Sequence, residues 1–478
     1  MASILRTSLP ILPARAVQLR LIMAILFSMM ISGCQFYTKD TMHNKPFDPK
    51  DTQKTRASET VSNEDLYNGK FIGIALSGGG SRAANFSAAV LLELDSKLQV
   101  LDKTTAISSV SGSSLPAAYY GLYGRDKIRW NTDEIHKQMK KDFETRWFLR
   151  WFLPWNAALY WTSNFNRSDI MKEVLDSNLF HDSTFVNMGS GRPHILINAT
   201  SLSRGEHFIF SEEKFKDRLN SRIDSYPVAN AVMASSAFPG VFHDMTLHDF
   251  SGGQGAQGEP EYAHVIDGGP FDNLGVITLL DMVDKLQNGH KTPKCFLFIV
   301  DSYPYPIKPK HIHDADTRKF VDYFVDSNVA ESSDALLAVR RGDLLDQVNV
   351  DVIVYEDGRT EIDAPFHNQP DKERIFLDND REVYCDVWHI SLQRLLSPDF
   401  KKYATQAGVS EEEIDNLASI VNSIPTRYKL TAKDKDKKDI PPDMLQEYLF
   451  TAAYYLVNYD RDKGGKPILG QVQEWLNN

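Results

Sequence analysis

The sequence predicts an α/β protein of three layers, α/β/α, followed by a largely helical C-terminal extension. The 478 residues are 42% hydrophobic and 24% charged, an ordinary globular composition for a chain that can bury a sizeable core. Short apolar runs alternate with helical stretches, an order typical of a sheet with helices on both faces. The predicted strands are residues 71–76, 106–110, 193–198, 263–266 and 295–300.

The charge and the cysteines exclude several classes of protein. The net charge is −11, and binding to nucleic acid needs clustered Lys and Arg, so we expect no nucleic-acid partner. Cys34, Cys295 and Cys385 form no CxxC pair, which excludes a zinc or thioredoxin-like motif of that kind. Cys295 and Cys385 both lie in buried-strand patterns, and the sequence fits either a disulfide or two free thiols.

Residues 1–33 have the layout of an export signal. Three arginines and no acidic residue precede an apolar run at residues 21–32, which is too short to span a bilayer core of roughly 30 Å. Ile31-Ser32-Gly33-Cys34 resembles the lipobox of bacterial lipoproteins, in which cleavage leaves a diacylated N-terminal cysteine. This resemblance implies a lipid anchor at Cys34 in the bacterial cell envelope, and Gln35 favours the outer membrane. A plain signal peptide with a chance cysteine is the alternative.

Residues 34–65 follow this signal. They are rich in Lys, Thr, Asp, Asn and Ser, and they contain few apolar side chains. Such a composition cannot bury enough apolar surface to fold by itself. It therefore predicts a flexible tether.

The first predicted strand leads into a glycine-rich loop and a helix. The loop is Ser77-Gly78-Gly79-Gly80-Ser81-Arg82. Glycines expose backbone N–H groups and the helix start adds its positive dipole end, so this loop suits an anion. One candidate is a pyrophosphate, because G-x-G-x-x-A is satisfied through Ala83 and Asp102 stands about 20 residues on. The other is the oxyanion of an acyl-transfer intermediate.

A second strand, tight turn and helix follow from residue 106. The turn is Ser111-Gly112-Ser113-Ser114, and it leads into LPAAYYGLYG. A nucleophile elbow needs small residues around its serine, because the sharp turn leaves no room for larger side chains. Gly112 stands two residues before Ser114, as in G-x-S-x-G, although Pro116 occupies the place of the second glycine. Ser114 is therefore the candidate nucleophile.

A third strand ends at an aspartate. Val265-Ile266-Asp267-Gly268-Gly269 is followed by a turn and another predicted helix. A serine hydroxyl is a poor nucleophile without an adjacent base, and a carboxylate desolvated beside it can accept its proton. Asp267 is the candidate for that base.

The order and spacing of four motifs resemble the patatin-like phospholipases. The motifs are GGGSR at 78–82, GSS at 112–114, AFPGVF at 237–242 and DGG at 267–269. The resemblance covers about half the chain, residues 69–302, and implies a serine acyl hydrolase with a Ser–Asp dyad that needs no histidine. The residues that it implies are Ser114 as nucleophile, Asp267 as base, Gly78, Gly79, Gly80 and Ser81 as the oxyanion loop, and Arg82, Gly112, Gly268 and Gly269 as supporting motif positions.

The implied substrate is membrane phospholipid or another acyl ester, without cofactor or metal. A secreted lipoprotein meets such esters and has no cytosolic nicotinamide pool, which argues against the dinucleotide interpretation. Two alternatives remain, an acyltransferase with the same dyad and a non-catalytic lipid-binding envelope lipoprotein. The expected domains are the signal peptide at 1–33, the tether at 34–65, the catalytic domain at 66–302 and an extension of unknown role at 303–478.

Two further segments carry competing interpretations. Four of the seven tryptophans lie between residues 147 and 161, and Trp147, Trp151 and Trp155 recur every four residues. Aromatic residues with arginines suit a membrane interface, whereas this spacing also fits a core helix. His311, His313, Asp314 and Asp316 are potential metal ligands, but their setting among prolines and lysines predicts a solvated loop.

Overall fold

The structure is a computed structural model, and it describes residues 39–252, 261–288, 293–304, 327–354, 360–363, 366–367, 374–377 and 381–478. The helices in these ranges, α1 to α15 in chain order, are Gly80–Leu98, Ser114–Tyr123, Thr132–Met139, Phe143–Trp151, Pro154–Thr162, Arg167–Leu175, Glu212–Leu219, Val228–Ser235, Gly269–Asp272, Val276–Asn288, Ser327–Gln347, Pro398–Gln406, Glu411–Ser423, Pro442–Tyr459 and Ile468–Asn477. The strands, β1 to β15, are Lys45–Pro46, Lys70–Leu76, Ala106–Val110, His194–Ser201, Glu206–Phe210, Ser221–Arg222, Met245–Asp249, Glu261–Asp267, Lys294–Asp301, Asp351–Val354, Thr360–Asp363, Phe366–His367, Arg374–Phe376, Glu382–Tyr384 and Asp386–Ser391.

The described residues form one nine-stranded sheet that contains all five predicted strands. Its order is β12-β15-β9-β2-β3-β4-β8-β7, with β5 also paired to β4. The strands from β15 to β4 are parallel, whereas β8 runs antiparallel to β4. In this register Val110 pairs with Asn198 on one side of β4, and Asp267 pairs with the next residue, Ala199, on the other. The C-terminal ends of β3 and β8 therefore lie close together, on either side of β4.

The sheet is buried on both faces, as the three-layer prediction requires. Alternate residues of β2 contribute to different apolar clusters: Ile72 and Ile74 to one, Phe71 and Ala75 to the other. The first cluster packs against α1 and α14, and the second packs against α10 and α11. Side chains point to opposite faces with a period of two along a strand, so the alternation shows helices on both sides.

The C-terminal extension belongs to the same folded body as the catalytic half. Its strand β15 lies parallel to β9 in the central sheet, and Cys385 forms a disulfide with Cys295 at a Cα–Cα distance of 4.4 Å. Helix α14 buries Leu449 and Leu456 in the cluster that also contains Phe86 of α1. The extension also holds β10 to β15 beside its helices, so the expected boundary at residue 302 does not separate two structural units.

The prediction of a flexible tether is wrong for its described part, residues 39–65. Strand β1 pairs with β6, and the side-chain amide of Asn44 donates to Ser221 Oγ at 3.0 Å and to the His248 carbonyl at 2.9 Å. Arg56 and Ala57 are buried. The segment is polar because hydrogen bonds, rather than apolar burial, attach much of it to the domain.

The expected signal peptide and Cys34 lie outside the described residues, as do His311, His313, Asp314 and Asp316. Within the described ranges, no helix is both long and apolar enough to cross a membrane. In the same ranges, no three His, Cys, Asp or Glu side chains are grouped so as to hold a metal ion.

Candidate active site

A strained turn follows strand β3. The strand ends at Val110, and Ser111 adopts a φ of +52°. This left-handed conformation is uncommon for a residue other than glycine, and such strain concentrates at functional sites. One 3-10 turn, Ser111–Ser113, then leads into α2 at Ser114. A serine on a sharp strand-to-helix turn is the geometry of a nucleophile elbow, and here that serine is Ser111.

Ser111 is also the serine that contacts Asp267. Its hydroxyl donates a hydrogen bond to Asp267 Oδ2 over 2.8 Å. The other carboxylate oxygen, Oδ1, accepts the backbone N–H of Gly269 at 2.8 Å, and the backbone N–H of Ser111 donates to Ser235 Oγ at 2.9 Å. Both partners are thus oriented by further hydrogen bonds.

The structure does not bring Ser114, the predicted nucleophile, to Asp267. Ser114 is the first residue of α2, and its side chain is fully buried, whereas Ser111 retains 8% exposure. The Ser114 hydroxyl accepts from Ser109 Oγ at 3.2 Å and lies 3.0 Å from Ser235 Oγ. It contributes to the packing beneath the elbow.

The sequence does contain a signal for Ser111. An elbow serine stands directly after its strand, and Ser111 is the first residue after the predicted strand at 106–110. The pattern G-x-S-x-G centred there has Ser109 and Ser113 in place of its two glycines. Both substitutes are small, so the turn retains the space that it needs. The pattern Gly112-x-Ser114 favours Ser114 instead, three residues further along the chain.

Gly112 lies where the turn after β3 meets the glycine loop. A Cβ atom added at Gly112 would lie 2.1 Å from the carbonyl oxygen of Gly80. A side chain of any size is excluded at this position, because the elbow and the glycine loop meet backbone to backbone. Glycine at position 112 therefore allows the two motifs to approach this closely.

Asp267 is placed as predicted, at the end of β8. The carboxylate is 3% exposed, and burial raises its pKa to about 6, although the hydrogen bonds from Gly269 and Ser111 oppose part of the rise. Gly268 and Gly269 are required by close packing, since a Cβ at Gly268 would meet the Asn198 carbonyl oxygen at 2.6 Å. A carboxylate with this pKa is a stronger base than an exposed aspartate, and it is ionised at neutral pH.

Two amides of the predicted oxyanion loop donate to carbonyls of the protein. The N–H of Gly78 donates to the Asn273 carbonyl at 3.0 Å, and that of Ser81 donates to the Arg427 carbonyl at 2.6 Å. Gly79 and Gly80 lie between them at the start of α1, with φ of +141° and +58°. These backbone angles favour glycine, and the Gly80 backbone lies against Gly112.

Arg82 supports the site from outside. Its guanidinium is buried and donates from Nε to the Ser302 carbonyl at 2.9 Å, while the other nitrogens donate to the Ile424 carbonyl and to Thr426 Oγ1. The side chain therefore joins the glycine loop to β9 and to the extension. It holds the loop in position.

The extension supplies a residue that sequence reasoning missed. The hydroxyl of Tyr428 donates to the Ser236 carbonyl at 3.2 Å and also interacts with Ser111 and with the charge of Asp267. Its ring packs edge-on against Phe242 of the AFPGVF motif at 5.8 Å between centroids. Burial raises the pKa of the Tyr428 phenol, so it stays protonated. No local motif marks Tyr428, because its role depends on contacts between distant parts of the chain.

The histidine nearest to Asp267 in sequence belongs to another pair. His264 Nδ1 lies 2.7 Å from Asp244 Oδ2 in a partly exposed position on β8. Its spacing from Asp267 already predicted that the two side chains face apart. The geometry of the described residues is that of a Ser–Asp pair.

Comparison with known proteins places this site in a family. Residues 74–280 match the model of the family described as patatin-like phospholipase. Human GIVD cytosolic phospholipase A2 is similar in structure at 14% identity, over 87% of this chain and 61% of that chain, with a TM-score of 0.44. The complex of that enzyme with methyl gamma-linolenyl fluorophosphonate inhibitor and terbium chloride is 14% identical over 87% of this chain and 60% of that chain, with a TM-score of 0.45.

VipD from Legionella pneumophila is more distant, at 15% identity over 74% of this chain and 65% of that chain, with a TM-score of 0.26. This chain spans less than two thirds of the length of these solved structures. No curated protein matches the sequence significantly. The family match and the three-layer fold identify residues 74–280, which contain Ser111, Asp267 and the glycine loop, as a domain of the patatin-like phospholipases, a family of ester hydrolases.

Proposed function

We propose that this protein hydrolyses lipid acyl esters with a dyad of Ser111 and Asp267. The observation that carries the proposal is the 2.8 Å hydrogen bond between the elbow serine and the buried carboxylate, within a patatin-like phospholipase domain. Phospholipid is the substrate class that the family description favours. Neither step of the reaction below requires a cofactor.

The geometry supports a two-step reaction. Ser111 Oγ attacks the acyl carbonyl carbon as its proton passes to Asp267, and the carbonyl oxygen becomes an oxyanion. The N–H groups of Gly79 and Gly80 hold this oxyanion beside the positive end of α1. Collapse expels the alcohol, which takes the proton from Asp267, and leaves an acyl group on Ser111. Water then attacks the acyl-serine while Asp267 accepts its proton, and the released Ser111 oxygen takes that proton back.

A fluorophosphonate probe tests the proposal, because the phosphonate forms a stable bond with an activated serine. A fluorophosphonate group is also present in the inhibitor of the human enzyme described above. We expect labelling of the native protein on Ser111, located by fragmentation between Ser111 and Ser114 in one peptide. Labelling on Ser114 would contradict the dyad, and absence of labelling would favour a non-catalytic lipid-binding protein. An added acceptor alcohol that diverts most of the acyl product would favour an acyltransferase.

The proposal gives Tyr428 a positioning role. Tyr428→Phe keeps the ring against Phe242 and removes the hydroxyl that interacts with Ser111. We expect kcat on a soluble ester to fall about tenfold with KM nearly unchanged, because one neutral hydrogen bond contributes on the order of 1 kcal/mol. Melting within a few degrees of wild type is the control for folding. An unchanged kcat would show that the hydroxyl only supports the Ser236 turn.

We further propose that Cys34 carries a lipid anchor in the bacterial envelope, on the evidence of residues 1–34. The disulfide between Cys295 and Cys385 supports an oxidising compartment. Cys34→Ser removes the acyl acceptor of the lipobox, so cells fed labelled palmitate should incorporate no label into this variant. Incorporation equal to that of wild type would place the lipid elsewhere or refute the anchor.

A further inference from the structure

Helices α4 and α5 expose an unusual group of large apolar side chains. Each member of the group, which we name the aromatic face, is between 51% and 68% exposed. The aromatic face consists of Phe148, Leu149, Phe152, Trp155 and Trp161. Phe148 and Phe152 stack edge to face at 5.1 Å, and all five residues lie within the fourteen positions from 148 to 161. A contiguous exposed apolar patch marks an interaction site more often than scattered residues do.

The same helices have an inner side that packs on the catalytic half. Trp147 is half-buried, donates from Nε1 to the Arg167 carbonyl at 3.0 Å, and packs on Phe242 at 5.4 Å. Trp151 packs between Trp147 and Tyr160. The tryptophans at four-residue spacing thus divide: Trp147 and Trp151 anchor the helices, whereas Trp155 faces outward.

The aromatic face is continuous with the candidate active site. Trp147 contacts Phe242, Phe242 contacts Tyr428, and the Tyr428 hydroxyl interacts with Ser111. The Tyr428 carbonyl also accepts the backbone N–H of Phe143 at 3.1 Å, at the start of α4. At the other end of this series Trp161 of the face packs on Tyr160, Tyr160 packs on Trp151, and Trp151 packs on Trp147. A chain of aromatic contacts therefore links the face to the dyad.

The charge around the face differs from that of the whole chain. Residues 137–167 contain six basic and two acidic residues, in a protein with a net charge of −11. Both acidic residues pair with the extension, Asp142 with Lys429 at 2.7 Å and Glu144 with Arg427. Three of the basic residues also pair with acidic residues outside the segment: Lys137 with Glu134 at 3.1 Å, Lys140 with Asp443 at 2.7 Å and Arg150 with Glu173 at 3.0 Å. The six basic residues with Lys429 and Arg427 make eight positive charges against these five acidic partners, so an excess of three positive charges remains. Arg146 is exposed next to the face. An excess of positive charge beside exposed aromatic rings is complementary to anionic lipid head groups above an apolar phase.

We propose that the aromatic face docks the protein on an anionic lipid surface and brings that surface to the dyad. Tryptophan and phenylalanine enter the head-group boundary while the arginines and lysines contact phosphate. This inference rests on the proposed function for its substrate. Docking itself requires no intact dyad, so the two claims can fail separately.

The test uses a variant that keeps the reporter tryptophans. In the full chain, Leu149→Gln with Phe152→Gln removes two exposed apolar side chains and retains Trp155 and Trp161. We expect vesicles of phosphatidylethanolamine and phosphatidylglycerol, brominated on the acyl chains, to quench tryptophan emission of the native protein. The variant should lose most of this quenching, and its rate on vesicle phospholipid should fall about tenfold while the rate on a soluble short ester stays within about twofold.

The matched control is Ile128→Gln with Phe376→Gln. These side chains are 82% and 57% exposed, and Ile128 follows the end of α2 that is remote from Ser111. Quenching and both rates should remain at the native level in this control. Ser111→Ala should keep native quenching without hydrolysing either substrate, which separates docking from chemistry.

Three outcomes would overturn the proposal. Quenching that is absent in the native protein would exclude contact between the face and the bilayer interior. Equal losses in the two double variants would mean that any exposed apolar residue contributes. A native dimer that dissociates on Leu149→Gln with Phe152→Gln, without bilayer quenching, would assign the face to a second copy of the chain.

Discussion

Ser111→Ala should reduce kcat by at least about 10³-fold, whereas Ser114→Ala should stay within about tenfold of wild type. The reason is geometric: the Ser111 hydroxyl donates to Asp267, and the Ser114 hydroxyl is buried against Ser109 and Ser235. Loss of the Ser114 hydroxyl removes packing hydrogen bonds of modest net value. The measurement is kcat on a chromogenic soluble ester for both purified variants, after circular dichroism has shown that each is folded.

The two serines are matched controls for each other, because they lie three residues apart in the same turn. Loss of activity in Ser114→Ala together with activity in Ser111→Ala would return the nucleophile to position 114. Equal losses in two folded variants would mean that the elbow tolerates no change, and fluorophosphonate labelling would then decide between them.

Asp267→Asn should lose nearly as much activity as Ser111→Ala, and the double variant should be little worse than either. Asparagine cannot accept the serine proton, and residues that act as one unit are strongly non-additive. In the dyad Asp267 is itself the base, whereas in a Ser–His–Asp triad the aspartate only orients the histidine. The measurement is kcat for the single and double variants, with melting temperatures as the control for folding.

The acidic limb of the pH profile follows from the same carboxylate. Burial raises the pKa of Asp267 to about 6, and only the ionised form can accept a proton. Wild-type kcat/KM should therefore be constant above about pH 7 and fall as the pH drops through about 6. A histidine variant such as His264→Gln should keep this limb and most of the activity. If His264→Gln lost as much as Ser111→Ala while Asp267→Asn stayed within about tenfold of wild type, the dyad would be replaced by a triad.

The features that the sequence predicted well depend on local pattern. Strands such as residues 70–76 and 294–301 are short runs of apolar and β-branched residues. Asp267 stands before two glycines at the end of such a run, which marks it as a candidate site residue. The candidate nucleophile is harder to predict, because Ser108, Ser109, Ser111, Ser113 and Ser114 offer five hydroxyls within seven residues. What distinguishes Ser111 is its backbone conformation, a φ of +52° at the first position after the strand.

Features that depend on distant contacts could not be predicted. No periodicity relates Arg82 to Ile424, or places β15 beside β9, because a parallel neighbour can come from any later part of the chain. The outward direction of Phe152 and the inward direction of Trp151 likewise depend on what packs beneath the helix. The tether prediction was wrong for the same reason, since Asn44 is fixed by Ser221 and His248.

The buried contacts of Arg82 have a consequence for synthesis of the chain. The hydrogen bond between Arg82 and Thr426 joins residues 344 positions apart. At about 5 to 20 residues per second, a ribosome needs roughly 20 to 70 s to make that interval. During this delay the glycine loop exists without the segment that fixes it, and the nascent polypeptide passes through its growth with an unfinished catalytic centre. Removal of the last fifty or so residues would leave the whole family-matched region intact in sequence, yet without α14 and α15 to hold that segment in place.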